Sequence, residues 1–135
     1  MITVEEYFGK KIGLPQVTAI MIENATGLLE KVNRCLTDFG DVPNDPDTGT
    51  QISGAKGGIG DGGFRLPFSA TGAKSSKHKT AHAVDVYDPE GKLDAWLDDR
   101  KLTLYGLYRE SPEATIGWTH LQDIPPGSGH RTFYP

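Results

Sequence analysis

The chain has little of what usually fixes the class of a small protein. One cysteine, Cys35, occurs in 135 residues, so no intrachain disulfide can form. It lies in an apolar helical stripe, the setting of a buried structural thiol. No apolar run approaches the roughly 20 residues of a membrane-spanning helix. Positive charge is not in excess: 14 Lys and Arg stand against 18 Asp and Glu, a net charge of −4, whereas a nucleic-acid binder carries a basic footprint. The start, Met1-Ile2-Thr3-Val4-Glu5-Glu6, is acidic and lacks the basic and apolar regions of a signal peptide. There are no internal repeats and no linker. With 36% hydrophobic residues, the composition fits a single domain over residues 1–135 with one core, and a monomer is expected.

What is present reads as an α+β chain. A short helix is expected from Val4 to about Lys10, broken by Gly13 and Pro15. The main helix is expected from Thr18 to Phe39, where Ile22, Ala25, Leu29, Val32, Leu36 and Phe39 recur at steps of three and four as one core-facing stripe. Thr18 can cap its start and Gly40 can end it. Gln51 to Ser53 is expected to begin a strand. Leu93, Trp96 and Leu97 space as one face of a short helix, and Leu102 to Tyr108 as another. Arg131 to Phe133 is a candidate edge strand. Gly58-x-Gly60-x-Gly62 lacks the helix N-terminus that a phosphate cradle needs, so a loop beside the site is the better reading. The expected architecture is helices packed on a small, largely antiparallel sheet whose exposed face carries the site.

Chemistry concentrates in two segments. Ser76-Lys77-His78-Lys79-Thr80-Ala81-His82-Ala83-Val84-Asp85 sets a histidine seven residues before an aspartate in an alternating run, and Gly117-Trp118-Thr119-His120-Leu121-Gln122 centres a second histidine. Alternation puts Ala83, Asp85 and Tyr87 on one strand face and Trp118, His120 and Gln122 on another. Two adjacent strands would bring Asp85 and His120 to one ion, with His78 reaching in from a turn. Two imidazoles and a carboxylate form a three-ligand zinc set with a fourth position open, which points to a zinc hydrolase. Taken alone, the spacing also fits unrelated imidazoles and a strand-end carboxylate. Lys74, Lys77 and Lys79 read as a solvated basic cluster, and His82, with the parity of Val84, as facing away from the metal.

Gly63-Phe64-Arg65, Ser76-x-His78, Ala83-x-Asp85 and Trp118-x-His120, followed by Pro125-Pro126-x-Ser128-Gly129-x-Arg131-Thr132-Phe133, resemble the zinc D-Ala-D-Ala carboxypeptidase and L-alanyl-D-glutamate endopeptidase family. These are peptidoglycan peptidases that share the hedgehog fold, and the closing segment looks like their small phage and prophage members. The resemblance covers roughly residue 18 to the end. It implies His78, Asp85 and His120 as ligands of one zinc, Arg65 and Ser76 as substrate-binding residues, and peptidoglycan or its peptide fragments as partner. Trp118, by its parity with His120, is expected to line the cleft.

Two departures matter. Ala81 stands where the family motif has glycine, a mild change if its φ stays below zero. The family's base, an acidic residue three before the last ligand or a histidine two before it, falls here on Gly117 and Trp118, which cannot serve. Glu113, and after it Glu110, are the candidate replacements, read as lying in a loop that enters the His120 strand. The expected function is hydrolysis of an amide bond in peptidoglycan stem peptides or crossbridges, at a wall reached by export, release or virion delivery. The alternative is a non-catalytic zinc-binding wall-binding or phage structural module that has lost its base.

Overall fold

The computed structural model describes residues 1–54, 62–69 and 76–135. Gly58, Gly60 and Lys74 lie outside the described residues.

Helix α1 spans Val4–Phe8. Thr3 caps it in a reciprocal box: its hydroxyl accepts from the Glu6 amide while Glu6 accepts from the Thr3 amide, satisfying two otherwise orphaned donors. A 3-10 turn over Gly9–Lys11 follows, which fills the span expected as one helix. Tyr7 and Phe8 are buried, and the Tyr7 hydroxyl donates to the Ala83 carbonyl at 2.8 Å. This short helix therefore braces the strand that carries Asp85.

Helix α2 spans Ala19–Phe39, with Thr18 capping the Met21 amide and Gly40 closing it at φ 108°. Its core face is Ala25, Leu28, Leu29, Val32, Cys35 and Leu36. Ile22 is 39% exposed, and in the first turn it is Met21 that packs against the core. Cys35 is fully buried, and burial, followed by the charge of Asp38, pushes its thiol up to about 12. It is an unreactive packing group. Trp96 is half-buried against the core, and its ring meets Phe39 at 5.3 Å.

Helices α3 (Lys92–Trp96) and α4 (Asp99–Tyr105) follow the first strand. The second was expected to continue to Tyr108. It stops because Gly106 turns left-handed at φ 72°, and Tyr108 opens a strand instead. The sheet contains β1 (Ala83–Tyr87), β2 (Tyr108–Glu110), β3 (Trp118–Gln122) and β4 (Thr132–Phe133), in the order β1-β3-β2-β4. β3 pairs antiparallel with both β1 and β2, while β4 pairs parallel with β2, making the sheet mixed. Ile52 makes only an isolated bridge to Val86 in place of the strand expected from Gln51.

Alternation divides the sheet. Val84, Val86 and Leu121 belong to the buried core. Asp85 lies on the opposite face, directly across from His120. The class is α+β, and no described helix is long and apolar enough to cross a membrane.

Candidate metal centre

The site begins in a tight turn. Residues Lys77–Thr80 form a 3-10 turn that Ser76 caps by accepting the His78 amide at 3.4 Å. Ala81 then takes φ 61° and ψ 33°, against the expectation of negative φ. It is the only non-glycine residue with positive φ among those described, a conformation that costs an L-residue about 1–2 kcal/mol. The kink bends the chain back, so that the His78 side chain lies over β1 and not along it.

A second segment closes the site from the side. The Asp85 amide donates to the Gly62 carbonyl at 2.7 Å, and the Arg65 amide to the His78 carbonyl at 3.1 Å. This backbone passes very near its neighbours. A Cβ on Gly62 would stand 2.0 Å from the Ser53 carbonyl oxygen, and one on Gly63 2.2 Å from that of Tyr7. Both positions require glycine for space, and Gly63 in turn offers its carbonyl to His78 Nδ1 at 2.9 Å.

His78, Asp85 and His120 are together and buried, at 2, 3 and 7% exposure. Asp85 Oδ1 lies 3.3 Å from His78 Nε2 and 2.9 Å from His120 Nδ1, and one ligand atom from each residue falls within 4.8 Å of the others. Ligands bound tetrahedrally at 2.0–2.1 Å stand about 3.3 Å apart. The spacing fits one metal ion.

The outer hydrogen bonds fix which atoms face that point. His78 Nδ1 donates to the Gly63 carbonyl, leaving Nε2 with its lone pair inward. The Gln122 amide nitrogen donates to the Ile124 carbonyl at 2.8 Å, which turns Gln122 Oε1 toward His120 Nε2, also at 2.8 Å. His120 Nε2 therefore donates to Gln122, so a neutral His120 presents Nδ1 as an acceptor while a protonated one donates Nδ1–H to Asp85 at 2.9 Å. With His120 neutral, two imidazole nitrogens and a carboxylate oxygen converge on one buried point, where either a proton or a metal ion relieves their repulsion. The group can hold a metal ion.

The protonation behaviour centres on Asp85. Burial pushes the His78 imidazole down, only partly opposed by Asp85. Burial alone would raise Asp85, but the imidazoles of His78 and His120 outweigh it and hold the carboxyl below its usual range. Burial works against charge on His120 too, yet the Asp85 carboxylate, with smaller help from Glu110 and Gln122, raises it. The directions of Asp85 and His120 report their mutual coupling, whereas that of His78 is set by burial.

The other predicted residues separate. Arg65 is 7% exposed, and its Nη2 donates to Asp85 Oδ2 at 3.3 Å, so it touches the ligand carboxylate itself. Ser76 caps the His78 turn. Trp118 is half-buried opposite Tyr87, on the His120 face. His82 pairs with Asp123 at 2.9 Å, apart from the triad. Lys79, expected to be solvated, is 8% exposed, drawn in by the tight turn. Glu113 is exposed on a 3-10 turn over Pro112–Ala114. Glu110 is not in a loop: it ends β2. The β2–β3 register pairs Tyr108 with Gln122 and Arg109 with Leu121, and one further step sets Glu110 opposite His120. Glu110 in turn pairs with Phe133, whose ring stands edge-on to His120 at 6.1 Å. A cross-sheet row Asp85–His120–Glu110–Phe133 results.

Gln122 and the Gly63 carbonyl are the parts that motif reasoning did not assign. Gln122 did carry a signal, its shared face with His120. The carbonyl carried none, because any residue supplies one. Away from the triad, a groove of about 160 Å³ is lined by residues including Phe39, Val42, Tyr87 and Leu93, and by no triad member.

Fold and site together define a small α+β domain with a buried group of two histidines and one carboxylate that could hold a metal ion. No family model matches the chain, and no curated protein or solved structure matches it.

Proposed function

We propose that this chain is a zinc-dependent peptidase that hydrolyses an amide bond in peptidoglycan stem peptides or crossbridges, built on the hedgehog and DD-peptidase type of fold. The observation that carries the reading is the convergence of His78, Asp85 and His120 on one buried point, with both imidazoles oriented by outer hydrogen bonds. Zinc bound there supplies Lewis acidity toward a scissile carbonyl and a nucleophile at neutral pH. The family motif around these residues, from Arg65 to Phe133, supports peptidoglycan as substrate, with the protein acting at the wall once exported, released or virion-delivered.

The chain's own residues supply the rest. Arg65 balances the charge of Asp85 from the side away from the imidazoles and stands where an anionic substrate group is drawn in. Trp118 offers a flat apolar wall along the same face. Glu110, across from His120, takes the proton from the attacking water and delivers it to the leaving amine. A general base contributes about 10²–10⁴-fold, so Glu110→Gln is expected to lower turnover by that factor, while Glu113→Gln stays near the wild type.

The test is to incubate zinc-loaded protein with purified peptidoglycan and identify new amino termini by mass spectrometry. Release that falls in Glu110→Gln supports the reading. No release from walls of several chemotypes contradicts it, and favours the non-catalytic wall-binding or phage structural module.

A further inference from the structure

A second cation lies on the metal face, in the segment that leads into the edge strand. Arg131 immediately precedes β4, and its carbonyl accepts the Arg109 amide at 2.8 Å. Strand alternation gives it the side of the sheet that Phe133 occupies, the side on which Phe133 meets His120. Its guanidinium carbon stands 4.2 Å from the centre of the Tyr108 ring, and its Nη1 donates to the Leu107 carbonyl at 3.0 Å. Tyr108 is itself directly opposite Gln122, the residue that orients His120. The guanidinium is thus clamped by a ring and a carbonyl, one cross-strand row from the triad.

No carboxylate lies within ion-pair distance of Arg131 among the described residues, whereas the buried Arg109 has Asp94 at 3.6 Å and Arg65 has Asp85 at 3.3 Å. Arg131 is half-exposed. Leu107 engages one Nη1 hydrogen, and a guanidinium has further N–H groups with which to grip a carboxylate. A clamped, half-exposed guanidinium beside a catalytic face has its side-chain entropy cost largely met before a ligand arrives.

We propose that Arg131 is a specificity-determining residue that binds a substrate carboxylate. Rows on one strand face are about 7 Å apart, the length of roughly two residues of extended peptide. The carboxylate it reads therefore lies about two residues along the substrate from the scissile amide. This assignment rests on the peptidase reading for its substrate, although the binding it describes does not require turnover.

The experiment compares a synthetic stem peptide bearing free carboxylates with the same peptide fully amidated, on zinc-loaded wild type, Arg131→Gln and Arg131→Lys. The wild type should favour the acid in kcat/KM. Arg131→Gln should reduce that acid-over-amide ratio by about 10- to 100-fold, chiefly through KM, and Arg131→Lys should restore part of it. A ratio unchanged in Arg131→Gln overturns the proposal, including the case where both substrates lose activity together, because a merely structural arginine would do that. If the wild type turns over neither peptide, the peptidase reading fails by itself. Calorimetric titration of the same two peptides then decides Arg131: acid-selective binding lost in Arg131→Gln sustains it, and binding without selectivity, or none, overturns it.

Discussion

Asp85 is the residue on which the others turn. Its two oxygens divide the work: Oδ1 faces both imidazoles, and Oδ2 takes the Arg65 guanidinium. The identity of the triad was legible in the sequence because histidine and aspartate at strand parity are few and chemically distinct. The orientation of each ring was not, since it is set by a backbone carbonyl at Gly63 and by an amide at Gln122 whose own orientation Ile124 determines. The strand position of Glu110 was missed for a related reason, as it is set by neighbours across the sheet. A direct consequence concerns Gln122. Gln122→Leu keeps the volume but removes the acceptor, so His120 loses its bias toward an inward Nδ1. Zinc affinity should fall by about 10- to 100-fold, the usual cost of losing such a partner, when measured by competition with a chelating dye. Gln122→Glu should retain most of it. Unchanged affinity in Gln122→Leu would contradict the orienting role.

At the scale of elements, long periodic segments were read well and short ones poorly. The stripe of α2 repeats over several turns, so its period stands out, and only its first residue, Ile22, misled. β2 has three residues, Tyr108–Glu110, too few for alternation to distinguish it from the end of α4. Ala81 looked like a mild replacement of glycine, yet the turn forces it left-handed at φ 61°. The strained kink and the close approach of residues 62 and 63 serve one purpose, presenting His78 to β1. Gly63→Ala would put a methyl carbon 2.2 Å from the Tyr7 carbonyl oxygen, and neither backbone can yield without moving α1 or the segment that orients His78. The variant should lose several degrees of melting temperature and bind zinc more weakly, read by calorimetry and the same dye competition. Wild-type values in both would show that the segment is freer than its packing indicates.

For the whole molecule, the face of the sheet opposite the metal holds a polar knot that no motif announced. Asp94 on α3 is 6% exposed, its Oδ1 has no hydrogen-bond partner, and Arg109 stands 3.6 Å away. Burial pushes its carboxyl up to about 6, against the pull of Arg109 and with a further push from Asp88. The folded value lies above the unfolded one, near 3.9. Its contribution to stability is therefore fully present below about pH 4 and lost as the pH rises through about 6. Asp94→Asn does not titrate, so the stability of wild type relative to this variant should decline by about 3 kcal/mol between those pH values and stay level above them, in urea titrations across the range. A flat difference would show that Arg109 already stabilises the carboxylate in full. The α+β class followed from pattern alone, whereas the mixed order β1-β3-β2-β4 did not, because strand order depends on contacts distant in sequence.

The claim beneath all of this is that His78, Asp85 and His120 together hold one zinc ion. Metal content per chain tests it most directly, measured by elemental and native mass spectrometry on protein equilibrated with zinc and freed of excess, for wild type and for His120→Ala. The account predicts close to one zinc per wild-type chain and a loss of that stoichiometry in a folded His120→Ala variant. Wild type without zinc, or a His120→Ala variant that keeps it in full, would contradict the account.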